Sequence, residues 1–388
     1  MSLETGWISL PDPKQICCRC VMDDSHREIS FDSIGVCNFC HSYEEDSARR
    51  KPKRSLEDVL SEIRGEGKGN RYDCVLGLSG GLDSSYLAYL AVGWGLRPLA
   101  IHLDNGWNTE LAVKNIELLC RRLQIDLYTH VIDWEEFKDL QLGFLKAGLA
   151  NLEAPSDHAI FACLRRTASQ KGIRTILTGV NDATEQIVVR ESYGHRYSDG
   201  GLIRSVHRRY CSHPLKTFPI ETFGKRWFHR KFGRTREVTL LNLVEYQKEK
   251  AQEILEKELG WKRYPGKHGE SVITRFHQAT YLPRKFGLDK RKLHLSNLIC
   301  SGQITREEAT ASLRQPPFSP EVIQNDFEFV RKKFGLTLEQ FSDILRSPPR
   351  THHEFPNDEK MEAMYGRMSS AWIWFRQGLR KRWFRGRV

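Results

Sequence analysis

Residues Val75 to Ser85 read Val-Leu-Gly-Leu-Ser-Gly-Gly-Leu-Asp-Ser-Ser, the stretch that most narrows what this chain can become. Val75, Leu76 and Leu78 have the composition of a buried strand, and Tyr86-Leu87-Ala88-Tyr89-Leu90-Ala91 that of a packed helix. Between them, Gly80 and Gly81 let backbone N–H groups turn inward with no Cβ in the way. A strand, a glycine turn and a helix in succession make an anion site, because orphan N–H groups and the helix dipole both favour phosphate. This is not the common P-loop, since the G-x-x-x-x-G-K-[ST] pattern and its lysine are missing. An ordinary βα turn with Asp83 or Ser84 as helix cap would use the same residues. The rest of the chain has to decide between the two.

Strand-like segments recur at Asp73–Leu78, Leu99–Leu103, Asp126–Ile132 and Arg174–Thr178. Helical spacing separates them near Asp83–Trp94, Thr109–Leu123, Trp134–Leu149 and Asp157–Lys171. Such alternation predicts an α/β fold with a parallel, doubly wound sheet. Ligands in that architecture sit at the carboxyl ends of the strands. Three loops fall there: Ser79–Ser85, His102–Asn108 and Thr178–Glu185. Beyond about Pro214 the pattern turns helical. Leu240–Leu259 is amphipathic and ends at Gly260; Thr305–Glu308 is a capping box, and Ser319-Pro320 and Thr337–Gln340 open two further helices. The expected organisation is a zinc ribbon over 14–45, an α/β nucleotide domain over 56–230, and a helical region over 231–388.

The ribbon rests on cysteine spacing. Cys17 and Cys20 form one C-x2-C pair and Cys37 and Cys40 a second, with sixteen residues between them. That spacing suits two turns presenting four thiolates to Zn²⁺. The segment between is short and polar and could not form a core unaided; metal binding worth about 10–16 kcal/mol can supply the missing stability. Cys18 could replace Cys17 as ligand. With all four positions filled by protein, the role is structural.

At 388 residues the chain can hold more than one domain. Its apolar stretches are too short to span a bilayer, and its start lacks a basic segment followed by an apolar one, so a cytoplasmic protein is expected. Net charge is +11, but six basic residues and no acid lie between Arg376 and Val388, so the body is only mildly basic. Charge alone gives little support to a nucleic-acid surface, and no nucleic acid is expected as partner. In that tail Met368, Trp372, Phe375, Leu379 and Trp383 share one helical face. A basic amphipathic helix with tryptophans suits peripheral contact with an anionic membrane; packing of the same face on the body, or docking on a partner, are the alternatives.

Taken in order, the cysteine segment from Ile16 to Cys40, Ser79–Ser85, His102–Asn108, Thr178–Glu185, Gly266–Ser271 and Phe286–Ala309 resemble the N-acetyl sugar amidotransferases. These belong to the PP-loop ATP pyrophosphatases and act in bacterial surface-polysaccharide and nonulosonic-acid pathways. The resemblance covers roughly residues 15 to 318. It implies conversion of the acetamido group of a nucleotide-activated sugar to an acetamidino group, with ATP, Mg²⁺ and ammonia. It also implies a separate glutaminase and a cyclase-like ammonia-channelling subunit, and the chain has no G-x-C-x-G elbow of its own. Cys18, Gln186 and the tail depart from the family pattern.

The chemistry assigns roles to residues. Pyrophosphate needs the N–H cradle of Gly77, Ser79, Gly80, Gly81, Ser84 and Ser85, and Mg²⁺ needs a carboxylate such as Asp83. Lys267 and Lys216 are candidates for the positive charge that steadies the phosphoryl transition state. The resemblance implies that Asp104 and Asn105 meet adenine or ribose. Gly179, Asn181, Thr184 and Glu185 follow the fourth strand, close to the first loop. His158 could orient substrate or act as acid/base, while Asp157 is equally well a helix cap. Two rivals remain: a zinc-ribbon tRNA thiolase, for which Cys211 among arginines would be the reactive thiol, with Cys163 read as core; and a non-catalytic nucleic-acid-binding protein, which leaves the strand-end loops unexplained.

Overall fold

The fold was read from a computed structural model that describes residues 8, 10–49, 54–193, 199–226, 235–264, 266 and 269–365. Five strands, β1 (Cys74–Gly77), β2 (Pro98–Asp104), β3 (Leu127–Val131), β4 (Thr175–Leu177) and β5 (Arg236–Val238), pair in the order β3-β2-β1-β4-β5. Every pairing is parallel, with Cys74 opposite both Pro98 and Thr175. Strand side chains alternate between faces, and the two cores divide accordingly. Val75, Leu99, Ile101 and Ile176 join one core; Leu76, Ala100 and Leu177 join the other.

Helices cover both faces, as expected for a doubly wound sheet. α1 (Asn38–Arg49) belongs to the cysteine segment and α2 (Leu56–Glu66) leads into the sheet. α3 (Leu82–Gly93) and α4 (Glu110–Leu123) pack on one side, α5 (Trp134–Ala147) and α6 (Ala154–Gln170) on the other. Thr109 and Asp133 cap α4 and α5 by accepting first-turn N–H groups, as their residue types favour. Two short helices, α7 (Asp182–Glu185) and α8 (Arg190–Tyr193), follow β4, and α9 (Gly200–Tyr210) lies against α5.

Two segments differ from their sequence reading. Strand β5 was not anticipated: Arg-Glu-Val has no apolar run. Ion pairs support it instead, Arg236 to Glu62 and Glu66 and Glu237 to Arg165. The expected continuous helix over Leu240–Leu259 is broken. Leu240–Leu243 is a 3-10 turn, the chain then opens, and α10 (Lys248–Ile254) runs into a π-helical turn, Leu255–Leu259, closed by Gly260. The break has a tertiary cause: Asn242 accepts the N–H of Asp182 at 2.8 Å and Tyr246 reaches Asp83. Helical propensity is a weak prior against such bonds.

The remaining helices are α11 (Val272–Phe276), a π turn (His277–Tyr281) running on into α12 (Leu282–Phe286), then α13 (Lys290–Cys300), α14 (Arg306–Leu313), α15 (Pro320–Phe334) and α16 (Leu338–Arg346). Thr305, Ser319 and Thr337 cap the last three. Phe276, Phe327 and Phe341 are fully buried, with the Phe327 and Phe341 rings 5.0 Å apart, and Arg275 pairs with Asp326 beside them at 2.6 Å. These rings belong to the same core as β1 and β2. Among the described residues no helix is long and apolar enough to cross a membrane. The basic aromatic tail and Lys267 lie outside the described residues.

Because Phe327 is fully buried among aromatic neighbours, Phe327→Ala should lower unfolding free energy by about 3–5 kcal/mol. Urea denaturation followed by circular dichroism reads the effect.

Candidate functional site

The sheet order reverses between β1 and β4, and the carboxyl ends of strands at such a switch point are where open α/β sheets hold ligands. Ser79–Ser85 lies there. Gly80 has φ +82, and Gly81 is the N-cap of α3. Asp83 and Ser84 therefore fall inside the first turn rather than capping it. Gly81 provides no side-chain cap, so the α3 N-terminus keeps donors and dipole for an anion.

The turn is held from several directions. The Gly80 carbonyl accepts from Tyr264 Oη at 2.9 Å and Trp261 Nε1 at 3.3 Å. Ser79 N–H donates to Ser84 Oγ, and Gly81 N–H donates to Ser79 Oγ. A Cβ on Gly80 would stand 2.9 Å from the Ala112 carbonyl oxygen, and one on Gly179 would stand 2.9 Å from the Ser84 nitrogen. The β4 loop thus presses directly on the start of α3. A Cβ on Gly77 would stand 3.2 Å from Leu164 Cδ1, so α6 packs closely on β1 there. The buried Ser85 Oγ has no protein partner. An uncapped helix start, a glycine cradle and an orphaned hydroxyl together fit the phosphates of a nucleotide.

Carboxylates gather beside the cradle. Tyr246 Oη donates to Asp83 Oδ1, and burial together with Asp83 holds the phenol well above its usual pKa. The Glu270 carboxylate lies over Gly81, 2.9 Å from where a Cβ would stand. On α6, burial pushes Asp157 up to about 7, helped by the charges of Glu153 and Glu185 and opposed by Lys290. Burial opposes ionisation of Glu153 too, but His277, Lys290 and Thr274 overcome it, and its pKa lies well below the ordinary range. His277 Nδ1 is 3.1 Å from Glu153 while Nε2 is 2.7 Å from the Ala150 carbonyl, so Nε2 carries a proton.

Other expected site residues take identifiable places. Asp104 accepts the Gly106 N–H and Asn105 that of Trp107, shaping the loop after β2; both line a cleft of about 280 Å³ with Lys333. The Lys333 ammonium lies over Trp107 and Trp134 and donates to the Gly106 carbonyl. Asn181 caps α7 by accepting from Thr184 N–H and Oγ1. His158 is buried, stacked on Phe218, and its Nε2 accepts the Glu221 N–H at 2.8 Å. That bond anchors the segment after α9 rather than leaving Nε2 for proton transfer. Lys216 is exposed on the same segment, with its backbone N–H given to Glu136 on α5. Sequence reading passed over Tyr246, Glu153, His277 and Lys290. Only Glu270 carried a signal, through its place in the Gly266–Ser271 motif.

The four cysteines converge. Cys17, Cys20, Cys37 and Cys40 are all fully buried, with all four sulfurs within 4.8 Å of one another. Cys17 and Cys40 are 3.9 Å apart and Cys20 and Cys37 3.7 Å, against about 3.8 Å for a tetrahedron with 2.3 Å Zn–S bonds. The N–H groups of Cys20 and Cys37 point at Cys17 Sγ, and hydrogen bonds from Cys20, Cys37 and Cys40 drive the Cys17 thiol strongly down. The donor set fits Zn²⁺. Cys18 is exposed and its Sγ faces the Ile34 carbonyl, so the ambiguity resolves to Cys17.

Gln186 donates to the Tyr43 carbonyl on α1, the Ile187 N–H reaches Asn297, and Arg306 donates to the carbonyls of Cys17 and Cys20. The thiol segment thereby braces the β4 loop against α13 and α14. Elsewhere, the expectation of a reactive Cys211 fails. Burial and Asp139 push its thiol up to about 12, outweighing Lys146. Cys163 is core, as expected.

Two outcomes follow from this geometry. The protonation that Asp157 gains on folding stabilises fully below its ordinary value of 3.8, and that contribution is lost as pH rises to about 7. Asp157→Asn should therefore gain stability relative to wild type between pH 4 and pH 8, read by thermal denaturation across that range. Elemental analysis should find zinc on the purified chain, with the ribbon's equivalent missing in a Cys20→Ser, Cys37→Ser double variant.

Comparison with known proteins places the C-terminal part. The chain is 30% identical over 133 residues to an uncharacterized protein of Methanocaldococcus jannaschii, covering 33% of this chain and 45% of that one. It is 39% identical over 71 residues to a tRNA(Ile)-lysidine synthase of Chlamydia pneumoniae, covering 17% and 22%. The chain thus spans less than half the length of either curated relative. Among solved structures, NMN synthetase from Francisella tularensis matches with a TM-score of 0.35 and 16% identity, over 74% of this chain and 98% of that one. Residues 270–368 match the family model described as LPS biosynthesis protein WbpG-like, C-terminal domain. Behind its parallel α/β sheet the chain thus has a C-terminal region similar to the WbpG-like C-terminal domain.

Proposed function

We propose that this protein is an ATP-dependent amidotransferase that turns the acetamido group of a nucleotide-activated sugar into an acetamidino group during surface-polysaccharide synthesis. The observation that carries the reading is the uncapped, glycine-lined start of α3 at the β1/β4 crevice, ringed by carboxylates and adjoining a WbpG-like domain. An amide carbon resists ammonia because its oxygen leaves poorly. Attack of that oxygen on the ATP α-phosphorus forms an O–P bond and expels pyrophosphate. Ammonia then adds to the activated carbon, AMP departs with the oxygen, and a proton is lost to leave the amidine.

In this reading Ser79–Ser85 receives the pyrophosphate, while Asp83 and Glu270 are the carboxylates that would hold Mg²⁺. Asp157, titrating near neutrality, suits the proton that nitrogen must lose. Glu153, kept ionised by His277, and Lys290 fix the local charge. Ammonia comes from a separate glutaminase through a cyclase-like channelling subunit, and free ammonium replaces both in vitro. The thiolase alternative lacks its reactive thiol, because Cys211 and Cys163 are both held protonated by burial.

Incubating the chain with ATP, ammonium and a panel of acetamido-sugar nucleotides should yield a product lighter by about one mass unit, since NH replaces O, together with AMP and pyrophosphate. Asp83→Asn should lower turnover by about 10²-fold or more, the scale of losing one electrostatic contact to the transition state. Pyrophosphate release with no mass change in any sugar nucleotide would overturn the substrate assignment, and wild-type turnover in Asp83→Asn the metal-site assignment.

A further inference from the structure

One side-chain cluster away from the crevice has the composition of a metal site and no part in amidine chemistry. His352 and His353 lie on a 3-10 turn, His352–Glu354, that follows α16. One nitrogen from each imidazole and one oxygen of Glu359 lie within 4.8 Å of one another. Consecutive residues on so tight a turn point in different directions, about 120° apart. Here the two rings nevertheless approach to 3.9 Å between centroids, tilted by 41°. His352 is buried, while the side chains of His353 and Glu359 are 47% and 45% exposed, so an ion could reach them from solvent.

His353 is held on both sides. Its Nδ1 is 3.3 Å from Glu359 Oε2 and its Nε2 3.3 Å from Glu191 Oε2 on α8. A metal-bound histidine characteristically gives its second nitrogen to a carboxylate, which fixes the tautomer and raises basicity at the other nitrogen. Glu191 occupies that position.

We propose that His352, His353 and Glu359 bind a second divalent metal ion, with Glu191 orienting His353. Two imidazoles and one carboxylate select the borderline ions Zn²⁺, Co²⁺ and Ni²⁺ over Mg²⁺ and Ca²⁺, which prefer oxygen throughout. Three protein ligands leave a coordination position open. The site rims a cavity of about 110 Å³ that Glu191 and His352 line together with Arg27, Lys285 and Arg350. The ion joins the turn after α16 to α8 and so ties the C-terminal region to the segment behind β4. It shares no residue with the four-cysteine cluster and does not depend on the amidotransferase reading.

The test uses the full chain, dialysed free of loosely held metal and then titrated with Zn²⁺ by isothermal calorimetry, with metal content measured before and after. Wild type should take up one equivalent beyond the zinc retained through dialysis. His353→Ala should lose that equivalent while keeping the retained zinc. Glu191→Gln should keep the stoichiometry and bind about 10–100-fold more weakly, the usual cost of losing such a carboxylate. Should His353→Ala fail to fold by circular dichroism, Glu359→Gln, altered at an exposed side chain, must show weakened uptake in its place. No further equivalent in wild type, or undiminished uptake in a folded His353→Ala or Glu359→Gln protein, overturns the proposal.

Discussion

The N-terminus of α3 is where the structure concentrates its constraints. A helix start leaves backbone donors without intrahelical partners, and most chains satisfy some of them with a Ser, Thr, Asp or Asn cap. This chain caps α4 and α5 that way and places Gly81 at the start of α3. The neighbouring contacts then hold the glycine turn from outside. Trp261 and Tyr264 hold the Gly80 carbonyl, and Gly179 allows the β4 loop to lie against the Ser84 nitrogen. The start of α3 goes without a side-chain cap, and other elements supply its rigidity.

The same logic explains why a ribbon with almost no core of its own belongs to this fold. Its four cysteines are buried with Met22, Val36 and Phe39 against Ile187, Val189 and Leu293, and its polar contacts reach two separate regions. Gln186 belongs to the loop after β4, while Ser296 and Arg306 belong to α13 and α14. Removing the cross-link would release both at once. The loop in question includes Gly179 and Glu185, so loss of the thiol cluster should be felt at the crevice without any cysteine touching a ligand.

The inner strands β1, β2 and β4 were legible in the sequence because parallel strands buried on both faces read as apolar runs between helical stretches, whereas the exposed edge strand β3 was placed by its β-branched and aromatic residues. All four anticipated strands occur, and the capping signals at Thr305, Ser319 and Thr337 open helices as read. The failures share one cause, which is that long-range polar bonds leave no local trace. Strand β5 is held by ion pairs, and the helix expected over Leu240–Leu259 gives way where Tyr246 meets Asp83. The motif loops could be found from glycines and acids in order. The partners that set their charge could not: Glu153 and His277 are 124 residues apart, and Tyr246 sits where a helix was expected.

Electrostatics then limits how the crevice can be used. Glu270 lies over the Gly81 turn beside Asp83, Glu153 and Glu185 act on the charge of Asp157, and the proposed nucleotide would add several negative charges. Like charges that close cannot all remain ionised in a partly buried site. Glu153 stays charged through His277, and Asp157 is the group that yields, with its titration moved to about 7. A polyanion entering such a site must bring cations with it or drive proton uptake at Asp157. On the proposed reading the crevice would take its anion together with a metal ion, and Asp157, with its titration raised to about 7, would be the carboxyl to exchange a proton near neutral pH.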